Sequence, residues 1–179
     1  MLHESKLRFA NYCLELAKTQ IVMARTALGL MAVFVVLGVA MYGLSTDVFG
    51  RIWNNTVDRV GGPMTFRFIL QPIMASIAAL YDGFADARNG RSHYLWTLLT
   101  DPAKRVGRLR EGVIATSRIL LLGLTMDTIY QYMVFDTFHP AEAVIITLLL
   151  AFAPYVLLRG PVSRLVSWWR GSATADIAR

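Results

Sequence analysis

The chain has 179 residues, 55% of them hydrophobic and only 17% charged, with a mean hydropathy of +0.47. Soluble domains carry about a quarter charged residues and about half apolar ones, so this composition excludes an ordinary soluble protein and indicates a chain partly solvated by lipid. The net charge of +6 does not mark a nucleic-acid binder, because the basic residues flank apolar runs and form no separate domain; the single cysteine, Cys13, excludes an internal disulfide.

Residues 1 to about 22 read as an amphipathic helix. Leu7, Ala10, Leu14, Ala17 and Ile21 recur at steps of three and four, while Lys6, Arg8 and Lys18 lie off that stripe. Such a helix would lie along the headgroups or pack on a partner; the alternative is a plain extension of the first membrane helix. The charged start is too long for a signal-peptide n-region and no small-x-small site follows, so the first apolar run reads as retained.

Four spans are expected, at about residues 24–44, 63–87, 112–134 and 142–158, each near the length that crosses about 30 Å of hydrocarbon. In the first, Gly29, Ala32, Gly38 and Ala40 are small enough for close helix approach. Between the first and second, residues 48–60 predict a short interfacial helix with Trp53 at headgroup depth. Gly61, Gly62 and Pro63 break it, and Pro72 should kink the second span.

The segment from Arg88 to Glu111 is a basic loop in which Asp101-Pro102 starts the next helix, Asp101 as cap and Pro102 at its first position. Lys104, Arg105, Arg108 and Arg110 follow and would contact anionic lipids or a partner. Pro140 starts the fourth span, where Ala143, Thr147 and Ala151 make a small face, and Arg159-Gly160-Pro161 should end it. An interfacial helix over 162–170 and a disordered tail over 172–179 complete a single membrane domain of residues 1–171. Trp53, Trp96, Trp168 and Trp169 are the expected interfacial anchors. The fold class is all-α, an integral membrane four-helix bundle flanked by interfacial amphipathic helices.

Fourteen of the 18 basic residues fall before or at the start of the first span, in the central loop or after the last span. The positive-inside rule therefore puts both termini and the central loop in the cytoplasm.

The polar residues inside the spans are the candidates for chemistry. Arg67, Gln71, Asp82 and Asp86 share one face of the second span; Ala75, Ala79 and Gly83 form a small ridge beside it. Arg118, Asp127 and Gln131 lie in the third. An ionised group at such depth costs several kcal/mol unless paired or wetted. In an antiparallel hairpin Arg67 meets Asp127 in depth and Arg118 meets Asp82, so two ion pairs could close it; alternatively, Arg118 snorkels to the headgroups. These charges either lock helices together or form a proton or ion path through Asp82, Asp86, Asp127 and Gln131.

The run Asp82-Gly83-Phe84-Ala85-Asp86-Ala87-Arg88 resembles part of the signature of the CDP-alcohol phosphotransferases, which transfer lipid headgroups. Its Ala-Arg pair stands one residue too far from Asp-Gly, and the two downstream aspartates are missing. His3, His93 and His139 are scattered, with no metal-ligand spacing, and no cofactor motif is present. The stretches QPIMASIAALYDGFADARNGRSHYLWTLLTD, MDTIYQYMVFDTFHPAEA and APYVLLRGPVSR resemble a group of small bacterial inner-membrane proteins with no assigned activity. That resemblance, over roughly residues 66–165, implies a bacterial inner-membrane location and four spans, and transfers no functional residue.

The leading expectation is a structural or accessory membrane subunit, with anionic lipids and other subunits or itself as partners and no nucleic acid. A small transporter or proton-coupled channel is the alternative, and a lipid-modifying enzyme a third. Orientation is checked with Cys13→Ser as background. Cysteine in place of Asp47 should react with an impermeant maleimide on intact cells, and cysteine in place of Arg105 only after the membrane is opened. The opposite pattern inverts the topology.

Overall fold

The structure is a computed structural model that describes residues 2–43, 50, 54, 57, 65–91, 94–134 and 137–177. Helix α1 (Leu2–Tyr42) runs without a break. No glycine or proline occurs in it before Gly29, so nothing separates residues 2–22 from the span that follows. The expected interfacial helix is therefore the first half of one long helix. It closes at Gly43, whose φ of +67° is a conformation glycine takes without strain. The expected helix over 48–60, with Trp53, lies largely outside the described residues.

Helix α2 (Arg67–Arg88) continues through Pro72 as one helix, with Ser76 Oγ donating to Pro72 O at 2.6 Å. Its end is a Schellman turn. Gly90 adopts φ +61°, and Arg91 N–H reaches back to Asp86 O at 3.0 Å. The central loop is not all loop: α3 (Tyr94–Thr100) forms inside it, and Arg105 donates to Leu98 O at 2.8 Å and Leu99 O at 3.2 Å, satisfying carbonyls at the end of α3.

Helix α4 (Pro102–Val134) starts as the sequence predicts. Asp101 Oδ1 accepts from the N–H groups of Ala103 at 3.1 Å and Lys104 at 3.3 Å. The hydrogen bond from the Lys104 side chain, with these backbone contacts, holds the Asp101 carboxyl below its usual range.

Helix α5 (Pro140–Thr147) passes through a π turn (Leu148–Phe152) into α6 (Ala153–Ile177). The π turn stands just before Pro154, which has no N–H to give to Leu150 O, so the wider spacing accommodates the lost bond. Contrary to expectation, Arg159-Gly160-Pro161 does not end the helix, and no separate interfacial helix follows. Arg159 and Ser163 are buried on either side of Pro161, and their packing holds the helix across the missing hydrogen bond. The helix continues to Ile177, past Gly171, where the sequence suggests disorder.

Four helical segments are long and apolar enough to cross a membrane: Leu14–Tyr42, Arg67–Arg88, Pro102–Val134 and Pro140–Trp169. Their packing is inside-out. Val36, Ile69, Ile77 and Leu149 are exposed, while Arg67, Asp86, Asp127, Gln131, Glu142 and Arg159 are buried. Only an apolar solvent makes this arrangement favourable. This is an all-α, multi-pass membrane protein.

The main partner of α2 is α6, where the ridge of Ala75, Ala79 and Gly83 is fully buried; its contact with α4 is smaller, so the α2–α4 hairpin is not the central packing unit. Helix α1 packs on α4 and α5. Of the four small residues noted in α1, Gly38 makes the close approach. A Cβ there would stand 2.5 Å from Ala141 Cβ and 2.8 Å from Ala141 N, whereas one at Gly29 meets nothing within 4 Å. Gly38→Leu should therefore lower stability in detergent by about 1–3 kcal/mol, with Gly29→Leu within about 0.5 kcal/mol of wild type. Thermal unfolding of the two variants reads the difference.

Candidate functional site

The buried charges form two layers. Arg67 and Asp86 are 19 positions apart on α2, about 28 Å along the axis at 1.5 Å per residue, close to a hydrocarbon thickness. Ala75, Ala79, Leu120, Leu124 and Ala151 fill the core between them.

In the first layer Arg67 Nη2 contacts Asp127 Oδ1 at 2.8 Å, with the two side chains 2% and 0% exposed. This is the pair expected from equal depth in the hairpin. Gln131, one turn further along α4, donates to Asp127 Oδ2 at 2.7 Å and to His139 O at 3.2 Å, and accepts from His139 N–H at 2.6 Å. One side chain thus ties the ion pair to the backbone that leads into α5. Tyr42 stacks on the His139 ring at 4.7 Å and donates to Phe138 O at 2.9 Å, which brings in α1. Gln71 and Thr147 are buried beside Gly123; a Cβ on that glycine would lie 3.0 Å from Gln71 Nε2.

The second layer is centred on Arg159 and Asp86. Arg159 Nε and Nη2 reach the two oxygens of Asp86 at 2.8 and 3.1 Å, a fork-on-carboxylate contact. Nη2 also reaches Glu111 Oε2 at 3.3 Å, and Nη1 donates to the Tyr155 hydroxyl, which donates in turn to Asp82 Oδ2. The guanidinium lies 4.4 Å from the Tyr94 ring centroid. Arg108 Nη1 contacts Asp86 Oδ1 at 3.3 Å and Glu111 Oε2 at 3.1 Å, and Arg91 Nη1 contacts Glu111 Oε1 at 3.4 Å. Arg91, Arg108 and Arg159 thus balance Asp82, Asp86 and Glu111. Tyr94 donates to Arg108 O at 2.8 Å. Burial pushes its phenol up to about 12, against the opposing pull of Arg159, so it stays a donor at neutral pH.

The structure redistributes several candidates. Arg118 is exposed on the bundle surface and does not meet Asp82, whose partners are Tyr155 and, at 3.8 Å, Arg159. A half-turn separates Arg118 from Asp127, so when Asp127 faces inward Arg118 faces out. Arg108 is not a surface contact for anionic lipid: it is buried in the second layer. Lys104 and Arg110 are exposed, and Lys104 pairs with Asp101 at 3.0 Å. Trp96, Trp168 and Trp169 are exposed as anchors would be.

Sequence reasoning missed Arg159, Glu111, Tyr94 and Tyr155. A signal was available, since Tyr155 and Arg159 stand one turn apart, as do Arg108 and Glu111, and would share a face once the helices were extended through them. Among the described residues no group of three His, Cys, Asp or Glu is placed to hold a metal ion. Compared with protein-family models, curated proteins and solved structures, the chain matches none, so the resemblance noted above identifies no family.

Both layers join helices distant in sequence, which gives them a mechanical role. Asp127→Asn would remove the carboxylate 2.8 Å from the buried Arg67 guanidinium and should cost about 3–5 kcal/mol of stability. Arg118→Gln, on the exposed face, should stay within about 0.5 kcal/mol of wild type. Equal unfolding of the two variants in detergent would contradict the buried pair.

Proposed function

We propose that this protein is a structural or accessory subunit of a membrane assembly, a scaffold without its own catalytic constellation. The observation that carries this reading is the length of α1. Its 41 residues make about 62 Å of helix at 1.5 Å per residue, twice the roughly 30 Å of a bilayer core. Gln20 lines the same recess as Asn89 and Arg91, at the end of the bundle that holds the second ionic layer. The helix before it overhangs the bundle, and Leu14 and Leu16 are exposed there. Most helical stability in water comes from packing of an apolar face, so a partner that covers Leu14 and Leu16 would stabilise this part of α1.

By the positive-inside rule the overhang is cytoplasmic, as are the exposed Lys104, Arg105, Arg110 and Arg164, a basic platform for anionic lipid or an acidic partner surface. The alternative, a proton or ion path through Asp82, Asp86, Asp127 and Gln131, draws less support. Asp127 is held by Arg67 and Gln131, and the apolar core lies between it and Asp82.

Extraction into native-lipid discs through a C-terminal tag, followed by native mass spectrometry, tests the reading. The expected result is a hetero-complex of one fixed mass that is lost on deleting residues 2–18. A monomer or homo-oligomer alone would overturn the accessory role, and a homo-oligomer would turn attention to transport.

A further inference from the structure

A cleft of about 760 Å³ opens in the side of the bundle between α1 and α2, over the surface of α4. It exists because α1 packs on α4 and α5, α2 packs on α6 and the π turn, and α1 and α2 scarcely touch. Its volume is in the range of small-molecule sites, about 300–1,000 Å³. Toward mid-span it is lined by Met74, Ile77, Ala78, Ile114 and Ala115. Toward the end of the bundle it is lined by Asp82, Asp86, Arg91, Glu111 and Arg159. An apolar wall at hydrocarbon depth that ends in charges at the membrane boundary has the polarity profile of a lipid.

The charges say which lipid. Asp86 and Arg159, 2% and 4% exposed, are consumed by one another. The groups that keep a face to the cleft beside their partners in the layer are Asp82 at 32%, Glu111 at 43% and Arg91 at 51% exposure. Arg91, Arg108 and Arg159 balance Asp82, Asp86 and Glu111, so the recess is neutral overall and gives a purely anionic headgroup no net attraction. A headgroup with both an ammonium and a phosphate meets both signs. Carboxylates accept hydrogen bonds, and a primary ammonium has three to give; a quaternary ammonium has none and is recognised by cages of aromatic rings. Among the described residues the cleft lining offers a single ring, Tyr81.

We propose that this cleft binds one phospholipid with a primary-ammonium headgroup, drawn from the leaflet on the side of the second ionic layer. The ammonium sits between Asp82 and Glu111, the phosphate on Arg91, and acyl chain along Ile77 and Ile114. The site is separate from the basic platform of Lys104, Arg105 and Arg110 and stands whether or not the protein has a protein partner.

The test is native mass spectrometry of the purified full chain in detergent. It is mixed with equal amounts of phosphatidylethanolamine, phosphatidylcholine and phosphatidylglycerol of matched acyl chains. One phosphatidylethanolamine should bind with a preference of roughly tenfold or more over the other two, the worth of a charge-assisted hydrogen bond. Glu111→Gln and Asp82→Asn should each abolish that preference. Ile77→Trp, which fills the wall from an exposed position and touches no charge, should weaken binding while leaving the fold intact by circular dichroism. Equal binding of the three lipids, tighter binding of phosphatidylglycerol, undiminished binding by the folded Ile77→Trp variant, or an unchanged preference in either folded carboxylate variant would overturn the proposal.

Discussion

The contact between Arg159 and Asp86 is the constraint around which the rest of the bundle is arranged. A guanidinium and a carboxylate held inside an apolar solvent are each several kcal/mol uphill alone, and their mutual attraction is strong only when geometry is good and the remaining donors and acceptors are filled. The fork contact supplies the geometry. Arg108, Glu111, Tyr155 and the face of Tyr94 supply the rest. Because those partners come from α2, α3, α4 and α6, satisfying one ion pair sets the relative position of four helices. The small ridge of Ala75, Ala79 and Gly83 follows from this, since α6 must come close to α2 for Arg159 to reach Asp86; a Cβ at Gly83 would lie 2.7 Å from Val162 Cγ1.

Local backbone chemistry serves the same end. The left-handed Gly90 turns the chain back at the end of α2, so that Arg91 follows directly after the helix that carries Asp82 and Asp86. The π turn before Pro154 absorbs a missing hydrogen bond without ending the helix, and α6 then carries Tyr155 and Arg159 to the second layer. A helix that stopped at Pro161, as its sequence suggests, would leave Arg159 in a fraying last turn, where it could not hold a buried carboxylate.

The two layers differ in how they meet their surroundings. The Arg67–Asp127 pair is buried, and Gln131 ties it to the turn at His139. The Arg159–Asp86 layer is closed at its centre but leaves Asp82, Glu111 and Arg91 facing a cleft. The cleft is left because α1, which covers α4 and α5, scarcely touches α2. The second layer thus combines cohesion with a charged recess open to the side.

Composition and hydropathy by themselves determined that the protein lives partly in lipid, that it has four spans, and where several helices begin. These properties depend on short-range chemistry: apolar run length, the Asp101-Pro102 start and the Pro140 start. The Arg67–Asp127 pair was also legible, because antiparallel hairpin geometry ties sequence position to depth. The tertiary structure alone decided that Arg108 turns inward and Arg118 outward, that Arg159 continues a helix through Gly160-Pro161, and that residues 2–22 belong to a single long helix. The first two outcomes rest on a partner far away in sequence or on packing that outweighs a local breaking signal, and the third on the absence of any breaker before Gly29. Periodicity within one helix names its polar face but not which neighbour that face meets, and the charges of this bundle are settled by the neighbour.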